Sequence, residues 1–395
     1  MADQPPRPLE DVVVVAVEHA VAAPLATRQL ADLGARVIKV ERPGGGDFAR
    51  GYDVAVRGMS SAFLWLNRGK ESVELDLKSA EGSAVLERLL ERADVFVQNL
   101  SPDAALRAGL DPAAVQERHP HVVACSITGY GTTGPLASAK AYDLLIQGEA
   151  GLISLTGDGE VMAKVGISIA DISAGTQCCT GILAALRHRD RTGAALPVEI
   201  AMFDSLAEWL AYPLYYAHYG GTEPARTGTR HATIVPYGAF PTADGQVLLA
   251  IQNDREWRRF CQTVLDAPEL AEDPRFTSHA TRLAHREELE DLIVRQFSSM
   301  SVVDVQKLLT EADIAHARLN SVSALAEHEQ ITSRDRWTTT DSPVGTVRTL
   351  VPPWLPTSPD GTRPDLGAVP AAGEHTEQVL AWLAATDPIA EEAEA

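Results

Sequence analysis

D-V-V-V-V-A-V at residues 11–17 and A-R-V-I-K-V-E at residues 35–41 flank a stretch, 24–33, with the character of a helix. The first run is β-branched almost throughout and lacks polar alternation, which predicts a strand buried on both faces. Pro24 is tolerated in a first helical turn, and R-P-G-G-G-D at 42–47 closes the second strand. The pattern continues with expected strands at 72–77, 94–100 and 122–128, a helix at 80–93, and two short helices between Asp103 and His119. Strand and helix alternating in this way predict an α/β fold with a parallel sheet and right-handed crossovers. Ligands of such sheets gather beyond the carboxyl ends of the strands.

Those strand ends carry polar residues. Arg42 follows one strand, Asn99 ends another, and Gly129-Tyr130-Gly131 leaves a third, with Lys78 and Arg107 just beyond neighbouring elements. Several cations at one sheet edge could hold phosphates, although any one taken alone reads more readily as a solvated surface charge. The chain as a whole is acidic, with 34 Lys and Arg against 54 Asp and Glu and a net charge of −20. That balance argues against nucleic-acid binding, which needs a basic footprint, and leaves room for an anionic small molecule. At 395 residues, two or three domains are expected.

Cys125, Cys178, Cys179 and Cys261 show no zinc spacing or disulfide framework, so no metal site is expected and the thiols read as reduced core residues. The start of the chain lacks a basic segment followed by an apolar one, and the run 12–17 is too short to span a bilayer. A soluble, cytoplasmic protein with no membrane partner is expected.

Residues 165–193 read as a short apolar lead-in followed by a helix. Ile172, Cys179, Ile182, Leu183 and Leu186 fall at helical spacing, basic residues crowd the end, and Gly193 stops it. Asp171 sits where an N-cap is expected, its carboxylate facing free N–H groups that favour the ionised form. A carboxylate so held can be a nucleophile, yet most Asp caps catalyse nothing. Further on come an expected strand at 197–202, a long apolar helix at 203–219, a polar linker at 220–229, and a hairpin over 237–251 turning at Asp244-Gly245. Helices follow near 254–265, 283–298 and 302–312, then a short strand at 317–320, another helix past Ser323, a Pro-rich stretch at 352–370, a last helix at 375–383, and an acidic tail from Asp387.

Familiar phosphate and hydrolase motifs are missing. Gly44-Gly45-Gly46 is no G-x-G-x-x-G, Gly69-Lys70 precedes a glutamate, and Gly166-Ile167-Ser168 ends on alanine at 170 where a nucleophile elbow has glycine.

Taken together, segments 22–50, 67–78, 93–100, 126–135, 140–147 and 167–193, with Y-G-A-F-P-T-A-D-G at 237–245, resemble the class III CoA-transferases, the CaiB/BaiF type, in order and spacing. The resemblance spans nearly the whole chain and implies the following. The fold is a Rossmann-like large domain formed by both chain ends (1–219 and 323–395), with an inserted α+β domain at 230–322 after a linker at 220–229, and two copies interlock as a homodimer. Asp171 is the catalytic aspartate, and Tyr142 falls at a position lining the CoA site; chemically Tyr142 is also a catalytic candidate, its hydroxyl stabilising an oxyanion, although a buried structural tyrosine is the default for such a residue. Val21, Ala22, Arg42, Leu75, Lys78, Asn99, Leu100, Ser101, Arg107, Lys140 and Asp143 line the coenzyme A site. CoA is a substrate, with no permanently bound cofactor, and the activity is transfer of CoA from a donor acyl-CoA to an acceptor carboxylic acid.

Two departures bear on substrate. Val21 stands where formyl-CoA transferases have glutamine, and R-H-A-T-I-V-P-Y-G at 230–238 replaces their glycine run, so formyl-CoA and oxalate are not expected. Arg230 and His231, with His19, become candidates for holding an acceptor carboxylate, which suits a short dicarboxylate such as succinate. Equally, Arg230 and His231 read as linker residues. The resemblance extends to α-methylacyl-CoA racemases, which place a His-Asp pair where this chain has Tyr142-Asp143; tyrosine is a poor base near neutral pH, so racemisation is disfavoured. A non-catalytic CoA-binding protein is the other alternative.

Overall fold

The computed structural model describes residues 7–353, 355 and 363–385. Six strands form its main sheet: β1 (Val13–Val17), β2 (Arg36–Glu41), β3 (Lys70–Glu74), β4 (Val95–Gln98), β5 (Val123–Thr128) and β6 (Val198–Ala201). Their order is β3-β2-β1-β4-β5-β6, and every neighbouring pair is parallel. This is the Rossmann order, in which the winding reverses between β1 and β4.

Pleating sends alternate side chains to opposite faces, and each face is covered. Val14, Ala16, Val37 and Val97 pack beneath α1 (Ala22–Asp32), sharing a core with Ala174, Cys178 and Ile182 of a 24-residue helix, Ile169–Thr192. On the other face Val15, Ile38, Val73 and Phe96 meet Leu86, Leu89 and Leu90 and, from the far end of the chain, Val379 and Leu383. Burial on both sides is why the strands lack polar alternation. The helix Ile169–Thr192 is long and apolar enough to cross a bilayer, but Ala174, Cys178 and Ile182 on it are buried in the core of the sheet.

Compactness divides the chain into two units. The first holds residues up to Leu152, Val165–Leu214 and the described chain from Asp335 onward. The second comprises Ile153–Lys164 and Tyr215–Arg334. Within the second, β7 (Tyr237–Pro241), β8 (Gln246–Ala250) and β9 (Ala315–Arg318) form an antiparallel sheet ordered β9-β8-β7. Val247, Leu249, Trp257, Phe260 and Phe297 fill its core.

Four local expectations need correction. The third strand starts two residues earlier than expected, at Lys70, and ends at Glu74, because the chain after Leu75 turns on Asp76. The stretch 203–219 is two helices, Met202–Trp209 and Ala211–Gly220, broken at Leu210. The last short strand lies at Ala315–Arg318, where it pairs with β8. Asp171 is not the N-cap: that position belongs to Ser168, and Asp171 lies inside the first helical turn. The acidic tail and part of the Pro-rich stretch lie outside the described residues.

Candidate active site

Because the six strands run parallel, their carboxyl ends share one edge of the sheet. The chain leaves β1 at Glu18 and turns through His19 and Ala20. Ala20 adopts a left-handed backbone, φ 64°, which is costly for a residue with a Cβ. Its N–H donates to Asp47 Oδ1 at 3.1 Å. The N–H of His19 donates to Asn99 Oδ1 at 3.0 Å, and Asn99 Nδ2 donates to the His19 carbonyl at 2.8 Å. The loops on either side of the winding reversal are thus tied together.

Beneath this turn lies a buried ion network. Glu18 Oε1 is 2.7 Å from Lys70 Nζ and 3.3 Å from Lys39 Nζ, and Lys39 reaches Asp47 Oδ2 at 2.9 Å. Burial pushes the Glu18 carboxyl up, but Lys70 and Lys39 outweigh it and hold it below the usual carboxylate range. Burial pulls Lys39 down, and Glu18, Asp47 and Glu41 outweigh it, leaving the ammonium above its ordinary value. For Lys70 burial prevails and draws it down to about 7. Sequence reading missed this network, although a lysine at position 39 in a strand buried on both faces signals a buried partner.

Two helices bring the catalytic candidates to the same edge. Helix α2 (Asp143–Glu149) begins in a loop that packs on the strand end, since a Cβ on Gly129 would collide with Ala141. Helix α3 (Ile169–Thr192) carries Asp171 and crosses α1 closely: a Cβ on Gly175 would sit 2.6 Å from the Ala22 carbonyl oxygen. Ile172 packs with Val21 and Leu25, so Asp171 stands beside the turn that follows β1. Its carboxyl is largely withdrawn from water. Burial, with repulsion from Asp143 added, pushes its pKa up to about 7. This corrects the expectation of a carboxylate held ionised by capping, because the capping is done by another residue. Asp143 Oδ1 accepts the N–H of Ala170 at 2.8 Å and of Asp171 at 3.3 Å.

Aromatic side chains also stand at this edge. Tyr142 occupies the N-cap position of α2 and is 68% exposed. Tyr52 stands near enough to feel both Asp171 and Tyr142; burial, Asp47 and Asp171 push its phenol up to about 12, so it remains an O–H donor at neutral pH. Phe48 links Tyr52 (centroids 5.7 Å apart) to His19 (5.1 Å). Burial draws the His19 imidazole below its ordinary value against the pull of Asp47. Phe48 and Tyr52 were also missed, since nothing in a loop's sequence reveals which strand end it covers.

The residues expected to line a CoA site fall along this edge. Arg42 follows β2 and donates to the Gly46 carbonyl at 3.0 Å. Leu75 is buried directly after β3, and Lys78 is exposed three residues further on. Leu100 follows β4, Ser101 starts the helix Pro102–Ala108 without using its hydroxyl as a cap, and Arg107 is exposed in the last turn. Lys140 is exposed before Tyr142, and Val21 and Ala22 are buried at the start of α1. Three of these side chains are already engaged: Arg42 with Gly46, Asn99 with His19, and Asp143 with α3.

Arg230 and His231 belong to the second unit. Arg230 is ion-paired with Glu290 at 2.8 Å. Nδ1 of His231 accepts from the N–H groups of Thr233 and Ile234 at 3.2 and 3.1 Å, which places the proton of the neutral ring on Nε2. Burial and Arg286 hold this imidazole below its ordinary pKa.

The sequence pattern of CoA-transferase family III matches residues 9–376. The chain is 34% identical to the succinate–glutarate CoA-transferase of Agrobacterium fabrum, over 97% of this chain and 98% of that one. It is 33% identical to the acetyl-CoA:oxalate CoA-transferase of Acetobacter aceti, over 84% and 86%. A solved structure of a CaiB/BaiF family protein from Brucella suis matches with a TM-score of 0.82 and 32% identity, covering 95% of this chain and 99% of that one.

Proposed function

This chain belongs to CoA-transferase family III and is a CoA-transferase, and we propose that it exchanges CoA between short dicarboxylic acids, such as succinate, through covalent intermediates on Asp171. The observation that carries this reading is the desolvated carboxylate of Asp171 at the sheet edge where the CoA-binding candidates line up. With a pKa near 7, a substantial fraction is ionised at neutral pH and is more basic than an ordinary carboxylate, hence a stronger nucleophile.

The exchange trades one thioester for another. The Asp171 carboxylate attacks the donor thioester carbonyl, and the C–S bond breaks to give a mixed anhydride and CoA thiolate. The thiolate attacks the Asp171 carbonyl and expels the donor acid as carboxylate, leaving an aspartyl-CoA thioester. The acceptor carboxylate displaces the thiolate to form a second anhydride, and the thiolate attacks its acceptor carbonyl, releasing the new acyl-CoA and free Asp171. Each addition develops an oxyanion, which a positioned O–H or N–H donor stabilises. Tyr142 and Tyr52 are the candidate donors. Arg42, Lys78, Arg107 and Lys140 supply cations for the CoA phosphates.

The names of the Agrobacterium and Acetobacter relatives support dicarboxylates as substrates. The second of these includes oxalate, so it belongs in any acceptor panel despite the departures at Val21 and at 230–238. The proposal includes a large CoA-binding domain built from both chain ends, a smaller insert at 230–322, a homodimer and a cytoplasmic location; light scattering of the purified protein tests the dimer. To test the function, succinyl-CoA is offered with glutarate, oxalate, malonate and acetate as acceptors. Transfer favouring dicarboxylates supports the reading. Transfer to monocarboxylates alone, or α-proton exchange without an acceptor, contradicts it.

A further inference from the structure

The start of α3 lacks the cap expected from its own sequence. Ser168 holds the N-cap position, but its side chain makes no capping hydrogen bond. The carboxylate of Asp143, from α2, takes its place: Oδ1 accepts Ala170 N–H at 2.8 Å and Asp171 N–H at 3.3 Å. Its other oxygen is fixed in turn. Buried Gln147 donates Nε2 to Asp143 Oδ2 at 2.7 Å, and Gln147 Oε1 accepts Val165 N–H at 3.0 Å. Asp143 therefore joins three pieces: its own helix, the lead-in to α3, and the backbone of Asp171 itself.

We infer that Asp143 is a positioning residue for the Asp171 nucleophile, capping the helix turn that carries it, and is not a CoA ligand. This rests on the reading of Asp171 as nucleophile. Both oxygens of Asp143 are engaged within the protein, so little remains for CoA. A helix start favours anions, and here Asp143 already occupies it, so the positive end of α3 is partly neutralised before Asp171 ionises. The groups acting on Asp171 are Asp143 from α2 and, across the site, the phenol of Tyr52. Among the described residues no Lys, Arg or His forms an ion pair with Asp171. Removing the Asp143 charge thus removes the main charged group acting on the nucleophile.

The experiment measures acylation of Asp171 by succinyl-CoA in single turnover from pH 5 to 9, for the full-length wild type, Asp143→Asn and Asp143→Glu. The asparagine keeps a side-chain oxygen for Ala170 N–H and loses the charge; the glutamate keeps the charge and misplaces it. For wild type the rate is expected to rise through an inflection near pH 7. For Asp143→Asn the inflection is expected to move acidward by about one pH unit or more, as removal of a close like charge implies. Asp143→Glu, which also serves should the asparagine variant not fold, is expected to keep the inflection near that of wild type and lose about tenfold in plateau rate. An Asp171 adduct in folded variants whose inflection and plateau both match wild type overturns the role of Asp143 alone. Absence of any Asp171 adduct in wild type overturns the nucleophile assignment, and this inference with it.

Discussion

Asn99 and His19 hold each other through two backbone-to-side-chain hydrogen bonds, 3.0 and 2.8 Å long, across the point where the winding of the sheet reverses. The pair fixes the mouth of the crevice between β1 and β4, where ligands of doubly wound sheets bind. Asn99→Ala removes both bonds and leaves the His19 N–H and carbonyl to find other partners. The expected cost is about 1–3 kcal/mol of stability, with KM for acyl-CoA raised more than kcat is lowered. Steady-state kinetics beside a urea titration separates the two; an unchanged KM contradicts a role for this clasp in CoA binding.

Asp171 trades stability for activity. Its folded pKa, about 7, is raised above the ordinary carboxylate value, so the fold prefers the neutral form. Stability is accordingly present at low pH and is lost as pH rises from near 4 toward 7, with no further change above. Asp171→Asn escapes that loss. It is expected to exceed wild type by up to a few kcal/mol at pH 8, with the gap shrinking at pH 5. Thermal unfolding at the two pH values reads this directly, and a gap independent of pH speaks against a perturbed aspartate.

Glu18 is the partner shared by Lys39 and Lys70. Glu18→Gln leaves the buried Lys39 ammonium and the Lys70 amine with only part of their partners. A loss of about 3–5 kcal/mol is expected, as for breaking a buried ion pair from one side. A variant as stable as wild type in chemical denaturation rules out the network as a support of the β1 turn.

Gly175 permits the crossing of α3 over α1. Alanine there brings its Cβ to 2.6 Å from the Ala22 carbonyl oxygen, a backbone atom that cannot swing aside. Helix α3 must then shift, carrying Asp171 with it. Gly175→Ala is expected to cost about 1–3 kcal/mol and to lower kcat by about tenfold or more. Wild-type turnover in this variant shows instead that the site tolerates displacement of the helix.

Much of the large sheet was legible from residues 11–128 alone, because strands buried on both faces write their burial into unbroken β-branched runs such as 11–17. Position alone raised Asp171 and the strand-end residues Arg42, Lys78 and Arg107, and the resemblance gave them a shared role, since short motifs survive in order along the chain. What stayed hidden was long-range. Position in the first turn of a helix does not reveal which carboxylate caps it, so Asp171 read as the cap while Asp143, 28 residues away, does that work. The consequence is a reversal of the electrostatics: a carboxylate expected to be easily ionised is instead hard to ionise. Tyr52 and the Glu18 network were hidden for the same reason, since their partners come from separate loops and strands.

The account stands on a covalent bond to one side chain. The protein is incubated with succinyl-CoA without acceptor, quenched with hydroxylamine or reduced with borohydride, digested and mapped by mass spectrometry. The prediction is a modified peptide at Asp171, present only when the acyl-CoA is supplied and absent from Asp171→Asn. An adduct on another residue, or efficient transfer by the asparagine variant with none on Asp171, contradicts the account.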